Sequence, residues 1–339
     1  SDSDMDLDQL KIINMYKKEA LNLKRKHEQR CLLCGNITSS FASSHSIPKF
    51  SLKSIADNGT VLGRNAMVSM GNIITDFIHD NIKYYKSGTN NSGVFNNICS
   101  KCENEKFITI EHEEDFIKTP WNHVQLTSNS IKTLLYEHNI KTFQKYLFIA
   151  RRNEIPPSTL YYKMLQTPID YYDNEVNKIS RDITEYKKLL ISSDGNTFTS
   201  LVDELLPKKI NLAMTAILFP TYDGYYEKVS HNSNHGLFFH IIPKTDITRV
   251  VIYYQSKSVA YEKIKNDISV MSSLEEKLIY LSRIIFLHSD RYYFNQQFIK
   301  DNQSILSDRK IMDVDFTQQL VLKEILDNAM NKLKCLKML

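Results

Sequence analysis

Four of the five cysteines fall into two Cys-x-x-Cys pairs, Cys31-Leu32-Leu33-Cys34 and Cys99-Ser100-Lys101-Cys102. A tight knuckle turns both sulfurs of such a pair the same way, and two knuckles complete the tetrahedron that structural Zn²⁺ takes. A thioredoxin-like redox motif needs one pair in a strand-to-helix setting, not two. The expectation is a four-sulfur zinc site. Gly35 supplies the unusual backbone that a knuckle needs after its second cysteine. Cys335, alone near the end of the sequence, is read as a partly buried thiol.

The 64 residues from 35 to 98 lie between the pairs, so a metal would close a long loop and remove chain entropy as a cross-link does. That loop carries Ser44-His45-Ser46-Ile47-Pro48-Lys49. A neutral imidazole can take a proton from water near pH 7.

The order Cys-x-x-Cys, His-x-x-Pro, Cys-x-x-Cys over residues 31–107 resembles the HNH (His-Me finger) nucleases that carry a structural zinc. The resemblance implies a ββα-metal module with His45 as general base. It further implies a catalytic Mg²⁺ or Mn²⁺ held by an acid before the histidine and an Asn or His on the following helix. Asn104 matches the helical ligand by position, with Glu103 as a rival, and Asn96 or Asn97 stands near the middle Asn of the motif. The acid before the histidine is Ser44 in this chain, so that ligand must come from elsewhere. Asp57, Asp76, Asp80 and Glu103 are the candidates. The layout also resembles a group of bacterial proteins, some in antiviral defence, with such a module ahead of an α+β domain.

Other chemistry-bearing residues have simpler readings. His231, His235 and His240 lie close in sequence, but His235 and His240 straddle the start of a strand and no acid or cysteine completes a ligand set. Asp290, Arg291, Tyr292 and Tyr293 could stack on bases. In a chain with 19 tyrosines, packing is the plainer account. Lys49 is either a phosphate contact or an exposed lysine. Residues 17–30 hold six Lys or Arg against Glu19 and Glu28. This is a solvated helix face or, directly before the first knuckle, a phosphate-binding one.

The elements that must position these residues follow from periodicity. Residues 7–30 read as a helix ahead of the first knuckle, and 52–56 as a short helix before the Asp57-Asn58-Gly59 turn. Residues 67–85 have weak periodicity. Residues 128–152 give the best helical stripe, ended by Pro156-Pro157, and 170–191 a second helix stopped near Gly195. Residues 212–219 read as a strand, and 237–242 with 249–254 as a hairpin turning at Pro-Lys-Thr-Asp. Helices are expected at 274–287 and 316–339.

The chain has 339 residues and 42% hydrophobic residues, enough for two domains with their own cores. The division expected is a zinc-stapled HNH-like module at 7–118, with its basic N-terminal helix, and an α+β domain at 119–339. The fold class expected is α+β, the second domain mixing helices with an antiparallel sheet. A net charge of +4 does not by itself specify a nucleic-acid partner. No apolar run is long enough to span a bilayer and no signal-peptide pattern opens the chain, so a cytoplasmic protein without a membrane partner is expected.

Three functions compete. The first is a metal-dependent endonuclease hydrolysing nucleic-acid phosphodiesters. The second is a zinc-stapled nucleic-acid-binding or sensor protein without catalysis, for which Ser44 argues. The third is an interaction module, self-associating or binding a partner protein through the second domain.

Overall fold

A computed structural model describes residues 7–63, 85–108, 113–192, 195–218, 236–278, 280–281 and 291–302. Asp76, Asp80, His231, His235, Asp290, Cys335, nearly all of the weakly periodic 67–85 segment and the 316–339 helix lie outside these residues, and the 274–287 helix is covered only in part. No helix among the described residues is long and apolar enough to cross a membrane.

The architecture is mixed α+β. The longest helices are α1 (Leu7–His27), α5 (His123–Asn153) and α6 (Leu160–Leu189). Short helices are α2 (Lys49–Ile55), α3 (Ser100–Glu103), α4 (Glu113–Lys118), α7 (Glu262–Ser269) and α8 (Gln296–Asp301). The larger sheet uses β2 (Thr60–Gly63), β3 (Tyr85–Gly88), β5 (Phe198–Leu206), β6 (Leu212–Leu218), β7 (Leu237–Lys244), β8 (Ile247–Gln255) and β9 (Tyr292–Phe294). Its order is β3-β2-β9-β6-β7-β8-β5, and every neighbouring pair is antiparallel.

Local chemistry explains the boundaries. Asn122 caps α5 by accepting from the Gln125 N–H at 2.9 Å, while the Gln125 side chain accepts from the Asn122 N–H at 2.9 Å. The helix thus starts five residues before the expected 128 and stops ahead of Pro156. Thr159 caps α6, which runs through Pro168 rather than starting at 170. The hydrogen bond Pro168 cannot donate is offset by packing of Leu165, Ile169 and Tyr172 on Phe148. Strand β5 was not evident in the sequence. It is an edge strand with a bulge between Ser200 and Val202, and its Asp203 accepts from Arg249 at 3.0 Å. The β7–β8 pairing continues to Lys244 and Ile247, so the turn is Thr245-Asp246 rather than all of Pro-Lys-Thr-Asp. Thr245 takes a φ of +51°, which the two-residue loop requires.

Alternate strand residues face opposite sides. On one side Met214, Ala216, Phe239, Val250 and Ile252 pack with Tyr261, Ile264 and Ile268 around α7. On the other, Phe238, Ile242, Val251 and Tyr253 meet Ile131, Leu134 and Leu135 of α5 and Ile183 and Tyr186 of α6. Cys31, Leu33, Phe95, Ile98, Cys102 and Phe107 join that same core. The regions drawn at 7–118 and 119–339 therefore share one sheet, through β2 and β3, and one core. The 127–143 stretch of α5 is buried on every side, with α1, α6, the sheet and the knuckles around it. Its Thr127, Ser130 and Thr133 hydroxyls donate to carbonyls four residues back. Its Glu137 pairs with Arg291 at 2.7 Å.

Candidate metal centre and the histidine beside it

The four cysteine sulfurs lie within 4.8 Å of one another. Cys34 and Cys99 are 3.9 Å apart. A tetrahedron with Zn–S arms of about 2.3 Å has edges of roughly 3.8 Å. The separation is far from the roughly 2 Å of a disulfide. In the first knuckle Gly35, at φ +74°, donates its N–H to Cys31 O at 2.8 Å, and Cys31 N–H donates to Asn36 O at 2.9 Å. Leu32 N–H donates to Asn97 O at 3.0 Å, joining the knuckles, and Cys99 N–H donates to Cys31 Sγ at 3.3 Å. Lys187 of α6 donates to Leu33 O. Burial, then the neighbouring Cys99, Cys31 and Cys34 sulfurs, pushes the Cys102 thiol far up. Four sulfurs packed this way become thiolates together only around a cation. The donor set fits a metal ion such as zinc. Among the described residues it is the one group of three or more metal-ligating side chains brought together in this way.

The second knuckle is tied to His45 by a short ribbon. Strands β1 (Ser44–His45) and β4 (Val94–Phe95) pair antiparallel, Ser44 opposite Phe95 and His45 opposite Val94. The chain leaves β4 through Asn96, Asn97 and Ile98 straight into Cys99, the N-cap of α3. Ser46 N–H donates to Gly93 O at 2.8 Å, and Gly93 N–H donates to the Tyr293 hydroxyl at 2.9 Å. Gly93 sits at φ +64°, and a Cβ there would stand 2.8 Å from Ser46 Oγ, so glycine is required.

The His45 ring is half-buried, with Nε2 at 3.2 Å from Thr89 O. A carbonyl only accepts, so Nε2 carries the hydrogen and the lone pair of the neutral ring lies on Nδ1. Burial lowers the His45 pKa below its ordinary value. Hydrogen bonding to the Thr89 and Asn90 backbone opposes this, and the Lys132 and Lys49 charges add to it. The imidazole is thereby kept neutral near pH 7.

The other expected site residues divide. Glu103 reaches this locus: Ser44 Oγ donates to Glu103 Oε2 at 2.6 Å. Asn104 is exposed at the C-cap of α3, where the chain enters a π turn spanning Asn104–Ile108. Asn96 accepts from Lys24 at 2.8 Å, and Asn97 donates to Leu135 O at 2.8 Å, so both hold structure. Asp57 accepts from the Gln296 N–H at 3.0 Å. The ligand set expected for a catalytic Mg²⁺ or Mn²⁺ does not assemble at His45 among the described residues: one carboxylate, Glu103, is present and is engaged by Ser44.

The structure adds Lys132, which sequence reasoning missed. It is 2% exposed on α5, with Nζ 5.8 Å from the Phe107 ring centroid. Burial pulls its ammonium down to about 8 against the opposing pull of Glu103. A lysine within a helical stripe gives no sequence sign that every side of its helix will be covered. The basic N-terminal helix is also partly spent inside. Lys24 is buried and lowered to about 8, chiefly by desolvation, while Arg25, Lys26 and Arg30 stay exposed. His240 stacks on Tyr253 and is held neutral by burial, down to about 3. Tyr292 and Tyr293 are buried packing residues.

No family model, curated protein or solved structure matches this chain. What the described residues show is a cluster of four cysteines in two knuckles, and a histidine on a ribbon that leads into the second knuckle's helix.

Proposed function

We propose that the protein is a zinc-stapled nuclease of the HNH type, hydrolysing nucleic-acid phosphodiesters with His45 as general base. The observation that carries this reading is the Nε2–Thr89 carbonyl contact of 3.2 Å on a ring that burial keeps neutral. It leaves Nδ1 as the acceptor for a proton from water, the state a general base needs. Zinc held by Cys31, Cys34, Cys99 and Cys102 would supply only a fixed cross-link between the two knuckles, the second of which follows the His45 ribbon in the chain. His45 takes the proton. Glu103 orients Ser44, the residue beside His45 on β1. Nucleic acid is the partner this assigns.

The second reading is a nucleic-acid-binding or sensor protein without catalysis. It is favoured by one observation: Ser44 occupies the place of the family's metal-binding acid, and its hydroxyl is given to the one nearby carboxylate. One experiment separates the two. Plasmid DNA and single-stranded RNA are incubated with the protein, with and without added Mg²⁺ or Mn²⁺, and again with His45→Ala. Cleavage lost in the variant supports the nuclease. Cleavage that survives it removes His45 from the mechanism, and binding with no cleavage under any condition supports the second reading.

A further inference from the structure

Five lysines from three separate stretches gather around α2, the helix that follows the His45 ribbon in the chain. Helix α2 begins directly after Pro48 and carries Lys49 and Lys53 one turn apart, both exposed, while Ser51, Leu52 and Ile55 are buried beneath. Ser51 and Ser54 hydroxyls both donate to Pro243 O, at 2.8 and 3.0 Å, so the helix is fixed to the end of β7 next to Lys244. Lys244 Nζ lies 5.4 Å from the ring centroid of Phe50. Lys209 Nζ donates to Ser54 O at 3.1 Å, and the exposed Lys208 precedes it. Lys208 O accepts from Thr248 Oγ1 at 2.9 Å, which in turn accepts from Ile210 N–H at 2.8 Å, pinning this segment to the hairpin.

The 49–55, 207–211 and 243–248 segments contain these five lysines and one acid, Asp246 at the hairpin turn. Asp57, just past α2, is taken up by Gln296. A fixed, predominantly basic face with hydrogen-bonded backbone is suited to a polyanion, because its charges are already held together against their repulsion before any ligand arrives. Its position favours nucleic acid: Lys49 is four residues from His45 and close enough for its charge to act on that ring.

We infer that Lys49, Lys53, Lys208, Lys209 and Lys244 form a phosphate-backbone track that delivers a nucleic-acid strand to His45. The inference rests on the reading of the His45 site as nucleic-acid-directed. Contacts of this kind read no sequence, and each releases a counterion.

The test uses the full chain carrying His45→Ala, so that binding is measured without turnover. Fluorescence anisotropy with a labelled duplex and a labelled single-stranded RNA is recorded across a salt series. The triple variant Lys49→Gln/Lys53→Gln/Lys208→Gln removes three exposed charges. Each lost contact reduces the salt slope by about 0.9 on duplex, and weakens binding roughly eightfold near 0.1 M salt. The control Lys163→Gln/Lys188→Gln/Lys265→Gln removes three exposed charges from α6 and α7. The expected result is a loss of at least roughly tenfold with a lower slope for the track variant, and a change of less than about twofold for the control. The single variant Lys53→Glu, far less demanding on folding, must show the same direction. Equal effects of the two triples, or no effect of either, overturn the track. So does lost binding to vesicles of anionic lipid with nucleic-acid binding intact, which would assign the face to a membrane surface. Failure of the nuclease reading is separate: cleavage unaffected by His45→Ala leaves the binding result standing.

Discussion

Removing the metal is the sharpest perturbation. The two knuckles enclose residues 35–98, a loop of 64 residues. Treated as a cross-link, closing a loop of that length lowers the entropy of the unfolded chain by an amount worth about 4 kcal/mol at 25 °C. That is a large share of the roughly 5–15 kcal/mol that holds a typical domain folded. Unfolding entropy near 2.1 cal/mol/K per residue gives, over 339 residues, about 0.7 kcal/mol/K, so the loss corresponds to roughly 6 °C in Tm if the chain unfolds as one unit. The effect should not stay local. Cys31 and Cys102 are buried in the same core as Leu134, Leu135, Phe238 and Tyr253, so the freed knuckles unpack α5 and the sheet as well. The assay is elemental analysis of the purified protein, then thermal unfolding before and after chelation, with near-ultraviolet circular dichroism reporting the Trp121 and tyrosine environment. About one zinc per chain and a fall in Tm of several degrees are expected. Less than a tenth of an equivalent of metal, or a Tm unchanged by chelation and by replacing all four cysteines with serine, would refute the reasoning.

Two further predictions concern protons. If His45 acts as a neutral base, cleavage rises with pH through a midpoint below the ordinary 6.5 and is flat above it, because burial and the Lys132 charge lower its pKa. Lys132→Met removes a positive neighbour and moves that midpoint upward, while a purely structural role for Lys132 would leave it in place; pH–rate profiles of the two proteins decide. His138 and His240 are both held down to about 3 by burial, with nearby lysines adding to the effect. Their unfolded-state value is near 6.5, so below that pH the unfolded chain binds protons that the folded one does not. Stability is therefore complete above about 6.5 and falls as pH drops toward 3, by up to about 1.4 kcal/mol per pH unit for each histidine. Tm measured from pH 7 to 4 should fall steadily, and His240→Phe should flatten the slope; a Tm independent of pH over that range would rule the account out.

Spacing alone determined the four-sulfur cluster, because ligands three apart in a knuckle are a local matter, set in the first by Gly35 and the turn around it. Spacing also isolated His45 between the knuckles. Helical period located α5 and the heart of α6, and β-rich runs located β6, β7 and β8, since each of these buries one continuous or alternating apolar face. Only the tertiary structure decided what stands next to what. Glu103 rather than Asp57 lies beside Ser44, and Lys132 reaches the site from a helix outside the expected module. Strands β2 and β3 join a sheet whose other members lie more than a hundred residues further along. Lysines at 49, 53, 208, 209 and 244 share a face only because Ser51 and Ser54 are bonded to Pro243, and Lys209 to Ser54. Such pairings depend on contacts between distant segments, and those leave no periodic mark in the sequence that forms them.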